Sequence, residues 1–320
     1  LTWVECPRDA WQGLPGHVPA ERKRAHLAAL LRAGFRHLDL GSFVSPRAVP
    51  QMADTEEVLA GLERPPDADF LCIIGNERGL ARALAVPGVT SVGFPLSVNE
   101  TFQQRNVGRS LEASWRLVEA LAEGAAAARR SLVVYLSMGF GNPYGDPWEP
   151  ADTAAAVRRL RQAGVRRIAL ADTVGRADAR TVERVLAELE RPERVGLHLH
   201  ARPDAWEPLV AAAVAAGVRW FEGALSGVGG CPFAGDALVG NLPSERVLPW
   251  LAERNLSAGI ALETHRRRRG ARARGGSRSA AGAAPRPCRP GPSRRPPRGA
   301  RRRRAPGRWP GPTRRYGCAR

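Results

Sequence analysis

The chain is poor in cysteine, methionine and lysine and has no long apolar run. Its five cysteines, Cys6, Cys72, Cys231, Cys288 and Cys318, are an odd number with no Cys-x-x-Cys spacing. That excludes a disulfide framework and a zinc ribbon, and it predicts a reducing, cytoplasmic setting. The longest nearly unbroken apolar stretch, Leu209 to Val218, is about half of the ~20 residues that a membrane-spanning helix needs. The N-terminus lacks a basic region followed by an apolar core, so neither a membrane partner nor a secretory signal is expected. No Gly-x-Gly-x-x-Gly follows the first predicted strand, which leaves a dinucleotide-binding, doubly wound sheet without support.

Acidic charge is missing from one end only. The chain carries 49 basic and 31 acidic residues, a net charge of +18, but residues 264–320 hold 20 of the arginines and no acidic residue. Residues 1–263 therefore have a net charge of −2, that of an ordinary globular domain with no call for a nucleic-acid partner. In the last 57 positions, Arg, Gly, Pro and Ala fill 47, and Leu, Ile, Val, Met and Phe are absent. Such a segment has nothing to bury and is expected to be a disordered Arg/Pro/Gly-rich tail, able at most to hold anions nonspecifically. Those four residue types have the most GC-rich codons, and residues 1–263 contain one lysine, Lys23, against 28 arginines. The tail thus reads as out-of-frame translation of a GC-rich gene, and the opening at Leu1 in place of a methionine fits an imperfect gene model.

What is present in residues 1–263 is a regular alternation. Short apolar runs fall at Trp3–Cys6, His37–Leu40, Phe70–Ile74, Ser91–Pro95, Leu132–Met138, Arg167–Ala171, Val195–His200 and Trp220–Leu225. Between them, Glu21–Ala33, Leu111–Ala122, Thr153–Ala163, Ala179–Leu189 and Trp206–Ala216 carry apolar residues at helical spacing. Three of these helices end in Ala-Gly before a strand, at Gly34, Gly164 and Gly217, as left-handed C-caps require. Eight strand–helix units in about 260 residues predict an α/β fold, the (β/α)8 TIM barrel.

In such a barrel the chemistry lies at the C-terminal ends of the strands. Polar residues collect there: Arg8 and Asp9 after strand 1, Asp39 and Ser42 on strand 2, Asp172 on strand 6, His198 and His200 on strand 7, and a Gly227-Val228-Gly229-Gly230-Cys231-Pro232 loop with Asn241 after strand 8. His198 and His200 are two apart on a strand, so both imidazoles face the same side. With Asp9 and Asn241 they form a mixed nitrogen and oxygen set that suits octahedral Mg²⁺ or Mn²⁺ better than tetrahedral zinc. Arg8, permanently charged, could stabilise an enolate oxygen, and Cys231 on a glycine-rich loop could move a proton. Cys6 and Cys72 are expected to be packing residues.

The runs Ser42-Phe43-Val44-Ser45-Pro46-Arg47 and Gly227-Val228-Gly229-Gly230-Cys231-Pro232-Phe233, together with Pro7-Arg8-Asp9 and Gln12, Ala171-Asp172-Thr173-Val174-Gly175, His198-Leu199-His200 and Gly240-Asn241-Leu242, resemble the 3-hydroxy-3-methylglutaryl-CoA lyases. These belong to a superfamily of metal-dependent TIM-barrel lyases and Claisen-type synthases. The resemblance covers Val4 to about Thr264. It implies retro-Claisen cleavage of an acyl-CoA thioester, 3-hydroxy-3-methylglutaryl-CoA or a similar 3-hydroxyacyl-CoA, to acetyl-CoA and acetoacetate. It implies a divalent metal held by Asp9, His198, His200 and Asn241, catalytic roles for Arg8 and Cys231, and supporting catalytic roles for Asp39 and Asp172. Gln12, Ser42, Gly229 and Gly230 would contact substrate, and a homodimer would be the assembly. An acyltransferase or aldolase of the same superfamily, similar to the isopropylmalate and homocitrate synthases, and an inactive frameshifted product stay open. The sequence departs from the lyase pattern where Ala10-Trp11 replaces Gly-Leu, where Asp39 replaces a glutamate, and where Ala201-Arg202 replaces Asp-Thr.

Overall fold

Eight parallel strands close on themselves: β1 (Thr2–Glu5), β2 (His37–Ser42), β3 (Asp69–Ile73), β4 (Ser91–Ser97), β5 (Ser131–Ser137), β6 (Arg167–Asp172), β7 (Gly196–Ala201) and β8 (Trp220–Gly223). Each pairs with the next, and β8 pairs with β1, in the computed structural model, which describes residues 1–14, 16–230 and 239–260. The expected tail, 264–320, and Cys231 lie outside the described residues. The barrel is ringed by α2 (Ala20–Arg32), α3 (Thr55–Ala60), α4 (Glu77–Leu84), α5 (Glu100–Val107), α6 (Leu111–Ala127), α7 (Pro150–Gln162), α8 (Ala179–Ala187) and α9 (Trp206–Ala215). A short α1 (Pro7–Gln12) precedes α2, and α10 (Ser244–Ala252) follows the last strand. The TIM barrel expected from the spacing is the observed fold. No helix among the described residues is long and apolar enough to cross a membrane.

Strand residues alternate between two cores. Leu71, Ile73, Val133, Tyr135, Ala169 and Trp220 pack together inside the barrel. Leu38, Phe70, Val92, Val134, Ile168, Leu197 and Phe221 face the helices in the larger outer core. Burial of this outer layer, at about 25 cal/mol per Å² of apolar surface, is what closes the ring of helices. Near the strands' N-terminal ends the barrel is plugged by polar groups, because Asp69 accepts hydrogen bonds from Arg167 Nη1 (2.8 Å), Ser91 Oγ (2.5 Å) and Thr90 Oγ1 (2.7 Å).

Two features position the mouth. Cys6 caps α1, and Pro7 occupies its first turn, where a missing N–H costs nothing. The residues that the sequence places at the end of strand 1 are therefore helical, so Arg8 and Gln12 stack four apart while Asp9 and Gln12 lie three apart on the same turn. The second feature is β9 (Gly240–Asn241), two residues that return antiparallel to β7 and pair Asn241 with His200. Nothing in the apolar pattern predicts it.

Candidate metal centre at the barrel mouth

His198 and His200 both point into the barrel from β7, and each is fixed through Nδ1. His198 Nδ1 lies 2.9 Å from Glu222 Oε2, and His200 Nδ1 lies 3.2 Å from the Thr173 carbonyl. Both partners are acceptors, so each Nδ1 carries the hydrogen and each Nε2 is left facing the mouth. From β9, beside His200, Asn241 donates its amide to Asp9 Oδ2 (2.8 Å) and to the Val228 carbonyl (2.9 Å), which leaves Oδ1 without a partner among the described residues. Asp9 Oδ1 accepts from Gln12 Nε2 (2.9 Å) and Arg8 Nη1 (3.1 Å).

The donor atoms converge. One ligand atom from each of Asp9, His198 and His200 lies within 4.8 Å of the others, and all three residues are buried. Among the described residues, His200 Nε2 and Asn241 Oδ1 are buried with no hydrogen-bond partner. A lone buried acceptor costs about 1–3 kcal/mol, and two of them beside a carboxylate form a cradle for a cation. The set, one carboxylate, two imidazoles and one amide oxygen, fits a hexacoordinate Mg²⁺ or Mn²⁺ with room for substrate oxygens. Gly229 roofs it at φ +107°, where a Cβ would fall 2.5 Å from Asn241 Nδ2 and 3.0 Å from Asp9 Oδ2. Gly230, at φ +135°, would meet the Val239 carbonyl.

Charge is arranged to match. Burial pushes the Asp9 carboxyl up, but His200, 3.9 Å away, and the Arg8 guanidinium outweigh it and hold Asp9 well below the usual carboxylate range. Burial also opposes the charge of Arg8, which Asp39 and Asp9 restore and reinforce. Asp39 is buried enough to be raised to about 6 despite Arg8, and so is ionised at neutral pH. His198 is raised, since the bond to Glu222 overcomes the penalty of burial.

The structure gathers Arg8, Asp9, Gln12, Asp39, His198, His200 and Asn241 into one network, with Gly229 and Gly230 over it. Asp39 reaches the network through Arg8 alone, whose Nε lies 3.2 and 3.1 Å from its two oxygens and whose Nη2 also bonds it. Among the described residues, two expected ones make no direct bond to this network, although Asp172 interacts electrostatically with His200. Asp172 lies on the helix-facing side of β6, one residue out of step with Ala169 and Ala171, and its oxygens accept from the backbone N–H groups of Arg176 (3.0 Å) and Ala177 (2.9 Å). It shapes the turn whose preceding residue, Thr173, holds His200. The Ser42 hydroxyl donates to the Ile73 carbonyl (3.3 Å) and accepts from Val44 N–H (3.3 Å), closing the end of β2.

Sequence reasoning passed over Glu222 and Tyr135. Both are buried and inward-facing; the Tyr135 ring meets His198 edge-on at 5.9 Å, and its hydroxyl has no partner. Cys6, expected as packing, also faces inward, its Sγ 3.8 Å from Glu222 Oε2, and burial pushes its thiol up. A cavity of about 450 Å³ on the outer wall is lined by Val157, Leu189, Arg158, Arg194 and their neighbours, none of which belongs to this network.

A parallel (β/α)8 barrel with imidazole, carboxylate and amide donors converging at its C-terminal mouth beside a buried arginine has the architecture of a TIM-barrel enzyme. Comparison with known proteins narrows it. The HMGL-like family model matches residues 2–269. A 3-hydroxy-3-isohexenylglutaryl-CoA/hydroxy-methylglutaryl-CoA lyase of Pseudomonas aeruginosa is 32% identical over 258 residues, 79% of this chain and 85% of the relative. A hydroxymethylglutaryl-CoA lyase of Bacillus subtilis is 28% identical over 80% of this chain and 86% of its own length. Among solved structures, a hydroxymethylglutaryl-CoA lyase from P. aeruginosa superposes with a TM-score of 0.76 at 31% identity, covering 81% of this chain and 87% of that one. An HMG-CoA lyase from Acinetobacter baumannii, in complex with coenzyme A and 3-methylmalate, gives 0.75 at 30% identity over 81% and 86%. The chain belongs to the HMGL-like family and is an HMG-CoA lyase-like enzyme.

Proposed function

We propose that the barrel within residues 1–263 cleaves 3-hydroxy-3-methylglutaryl-CoA, or a similar 3-hydroxyacyl-CoA, to acetyl-CoA and acetoacetate, with Mg²⁺ or Mn²⁺ at the mouth. The observation that carries this is the pair of orphaned acceptors, His200 Nε2 and Asn241 Oδ1, beside Asp9 and His198. A divalent cation held by Asp9, His198, His200 and Asn241 would act as a Lewis acid on the substrate's hydroxyl and carboxylate oxygens.

The protein's own groups do the rest. The 3-hydroxyl proton passes to solvent water, from which Cys231 later regains the proton it gives, and the C2–C3 electron pair passes to C2. The products are acetoacetate and the enolate of acetyl-CoA, which takes up a proton at C2. Arg8, clamped by both oxygens of Asp39 and by Gln12, presents a fixed positive charge toward the thioester oxygen on which the enolate charge collects. Asp39 serves as its positioning partner, holding the guanidinium plane in place. Cys231, the residue after Gly230 in sequence, is the proton donor to C2 in this reading. Gly229 and Gly230 let the backbone close over the donors without a side chain in the way. The relatives' names and the coenzyme A complex of one of them support the acyl-CoA substrate.

The test is release of acetyl-CoA and acetoacetate from 3-hydroxy-3-methylglutaryl-CoA with and without added Mg²⁺ or Mn²⁺. Metal-dependent cleavage that falls about 10²-fold or more in His198→Ala and in Cys231→Ala is the expected result. A folded, metal-loaded protein that leaves this substrate intact would overturn the assignment.

A further inference from the structure

Glu222 is a fully buried carboxylate in the barrel interior. Its side chain is buried to about 1% exposure on β8, beneath the mouth, among groups such as Tyr135 and Cys6. Taking a carboxylate out of water costs several kcal/mol unless a partner compensates. Among the described residues no lysine or arginine bonds it; the guanidinium of Arg8 is committed to Asp39, Asp9 and Gln12. One oxygen, Oε1, has no partner among the described residues. Elsewhere inside the barrel Leu71, Val133 and Ala169 fill comparable space without such a cost. The strong contact that Glu222 makes is to His198. β-Pairing of Leu197 with Phe221 puts the next residues, His198 and Glu222, at one level on the inward face, and Nδ1 lies 2.9 Å from Oε2.

We propose that Glu222 is a positioning residue of the mouth: it takes the Nδ1 hydrogen of His198, fixes the ring so that Nε2 faces Asp9 and His200, and makes His198 the stronger of the two imidazole donors. This rests on the metal reading above. The two histidines are not equivalent, since His200 leans on a neutral carbonyl, Thr173, while His198 leans on a carboxylate. A carboxylate behind an imidazole raises its basicity more than an amide carbonyl does. Cys6, His198 and Glu222 also lie close enough to form a donor set of their own. Their geometry favours a hydrogen bond, because two ligands on one tetrahedral ion at ~2.0–2.1 Å sit ~3.3 Å apart, farther than the Nδ1 to Oε2 distance.

The test uses the full chain, stripped of metal by a chelator and titrated with Mn²⁺ by calorimetry and by the electron paramagnetic resonance signal of free Mn²⁺. ¹⁵N spectra of the imidazoles report which nitrogen carries the hydrogen. Wild type is expected to bind one Mn²⁺ at the mouth. Glu222→Ala should lose about 10–100-fold in affinity and its Nδ1–H signature at His198. Glu222→Gln, which keeps an oxygen acceptor but loses the charge, should preserve the tautomer and recover only part of the affinity. Wild-type affinity in Glu222→Ala would overturn the proposal. So would a second bound Mn²⁺ lost in both Glu222→Ala and Cys6→Ser, which would make Glu222 a ligand. If Glu222→Ala does not fold, the ¹⁵N spectrum of wild type decides: an Nδ1 of His198 without its hydrogen refutes the role. Wild type that binds Mn²⁺ yet cleaves nothing sinks the substrate assignment and leaves this test intact, whereas no Mn²⁺ binding overturns both.

Discussion

Gly229 shows how closely the backbone approaches the donors at single-residue scale. Its φ of +107° is open to glycine and strained for any other residue, and an added Cβ would meet Asn241 Nδ2, Asp9 Oδ2 and the Ala10 Cα at 2.5, 3.0 and 3.1 Å. Gly229→Ala therefore carries two penalties, backbone strain of about 1–2 kcal/mol and displacement of the amide that orients Asn241. The expected outcome is at least a tenfold loss of Mn²⁺ affinity by calorimetry with a fall in Tm of a few degrees. An unchanged affinity would show that this loop does not close on the donors. Lys23 makes the complementary point about composition. The single lysine of the chain is buried, donating to Asp54 Oδ1 at 2.6 Å and to the Gln51 carbonyl. Two acceptors in a closed space suit a compact ammonium, and a five-donor guanidinium fork would leave N–H groups unpaired.

Elements are ended and linked by repeated local devices. After α2, α7 and α9 the chain turns through Gly34, Gly164 and Gly217 at φ +97°, +82° and +94°. In each case the next residue's N–H reaches back to the helix: Phe35 to Leu30, Val165 to Leu160 and Val218 to Ala213, at 3.1, 3.0 and 3.0 Å. Those next residues are apolar and fully buried, so one motif caps the helix and starts the following strand. A Cβ on Gly164 meets nothing within 4 Å, which isolates the backbone cost. Gly164→Ala should lower stability by about 1–2 kcal/mol, read as a lower urea midpoint with unchanged m-value and unchanged Mn²⁺ affinity. The eight strands and these three turns were legible because alternation and Ala-Gly endings are local signals. α1 was not, although Pro7 at a first helical turn is a start signal, because the apolar run before it reads as continuing into Arg8 and Asp9. α4 and α5, eight residues each, announce themselves only through Asn76 and Asn99, whose side chains accept from Gly79 and Phe102 N–H. β9 is two residues long and its pairing is set by tertiary contact alone. Glu222 did leave a trace, two residues after Trp220 and so on the same face, where a barrel interior expects an apolar residue. Asp172 was legible by its place at the end of a strand, but its parity, which aims it at the backbone of the following turn, was not.

The whole molecule's stability is tied to one carboxyl on the outer side of β1. Glu5 accepts from Leu225 N–H (2.6 Å) and Ser244 Oγ (2.5 Å), and also from Trp3 Nε1 (3.1 Å). It thus joins the first strand, the turn after β8 and the first turn of α10, the three segments between which the chain delivers Asn241. Burial raises it from its ordinary 4.5 to about 7, reinforced by Glu245, while its three hydrogen bonds pull the other way. Between those two values the folded chain keeps a proton that the unfolded chain has already released. Linkage then requires stability to fall as pH rises through that window and to level off above about 7. The size is about 3 kcal/mol, from 1.36 kcal/mol for each tenfold change in proton affinity. Asp39, raised to about 6, slopes the same way, so the wild-type curve alone does not isolate Glu5. Glu5→Gln does, because the amide stays neutral throughout and keeps one oxygen acceptor. The expected result is that urea-derived stability of wild type minus that of Glu5→Gln declines from pH 4.5 to 7 and is flat beyond. A difference constant across that range would mean that Glu5 is ionised in the folded protein and that its three donors fully offset its burial.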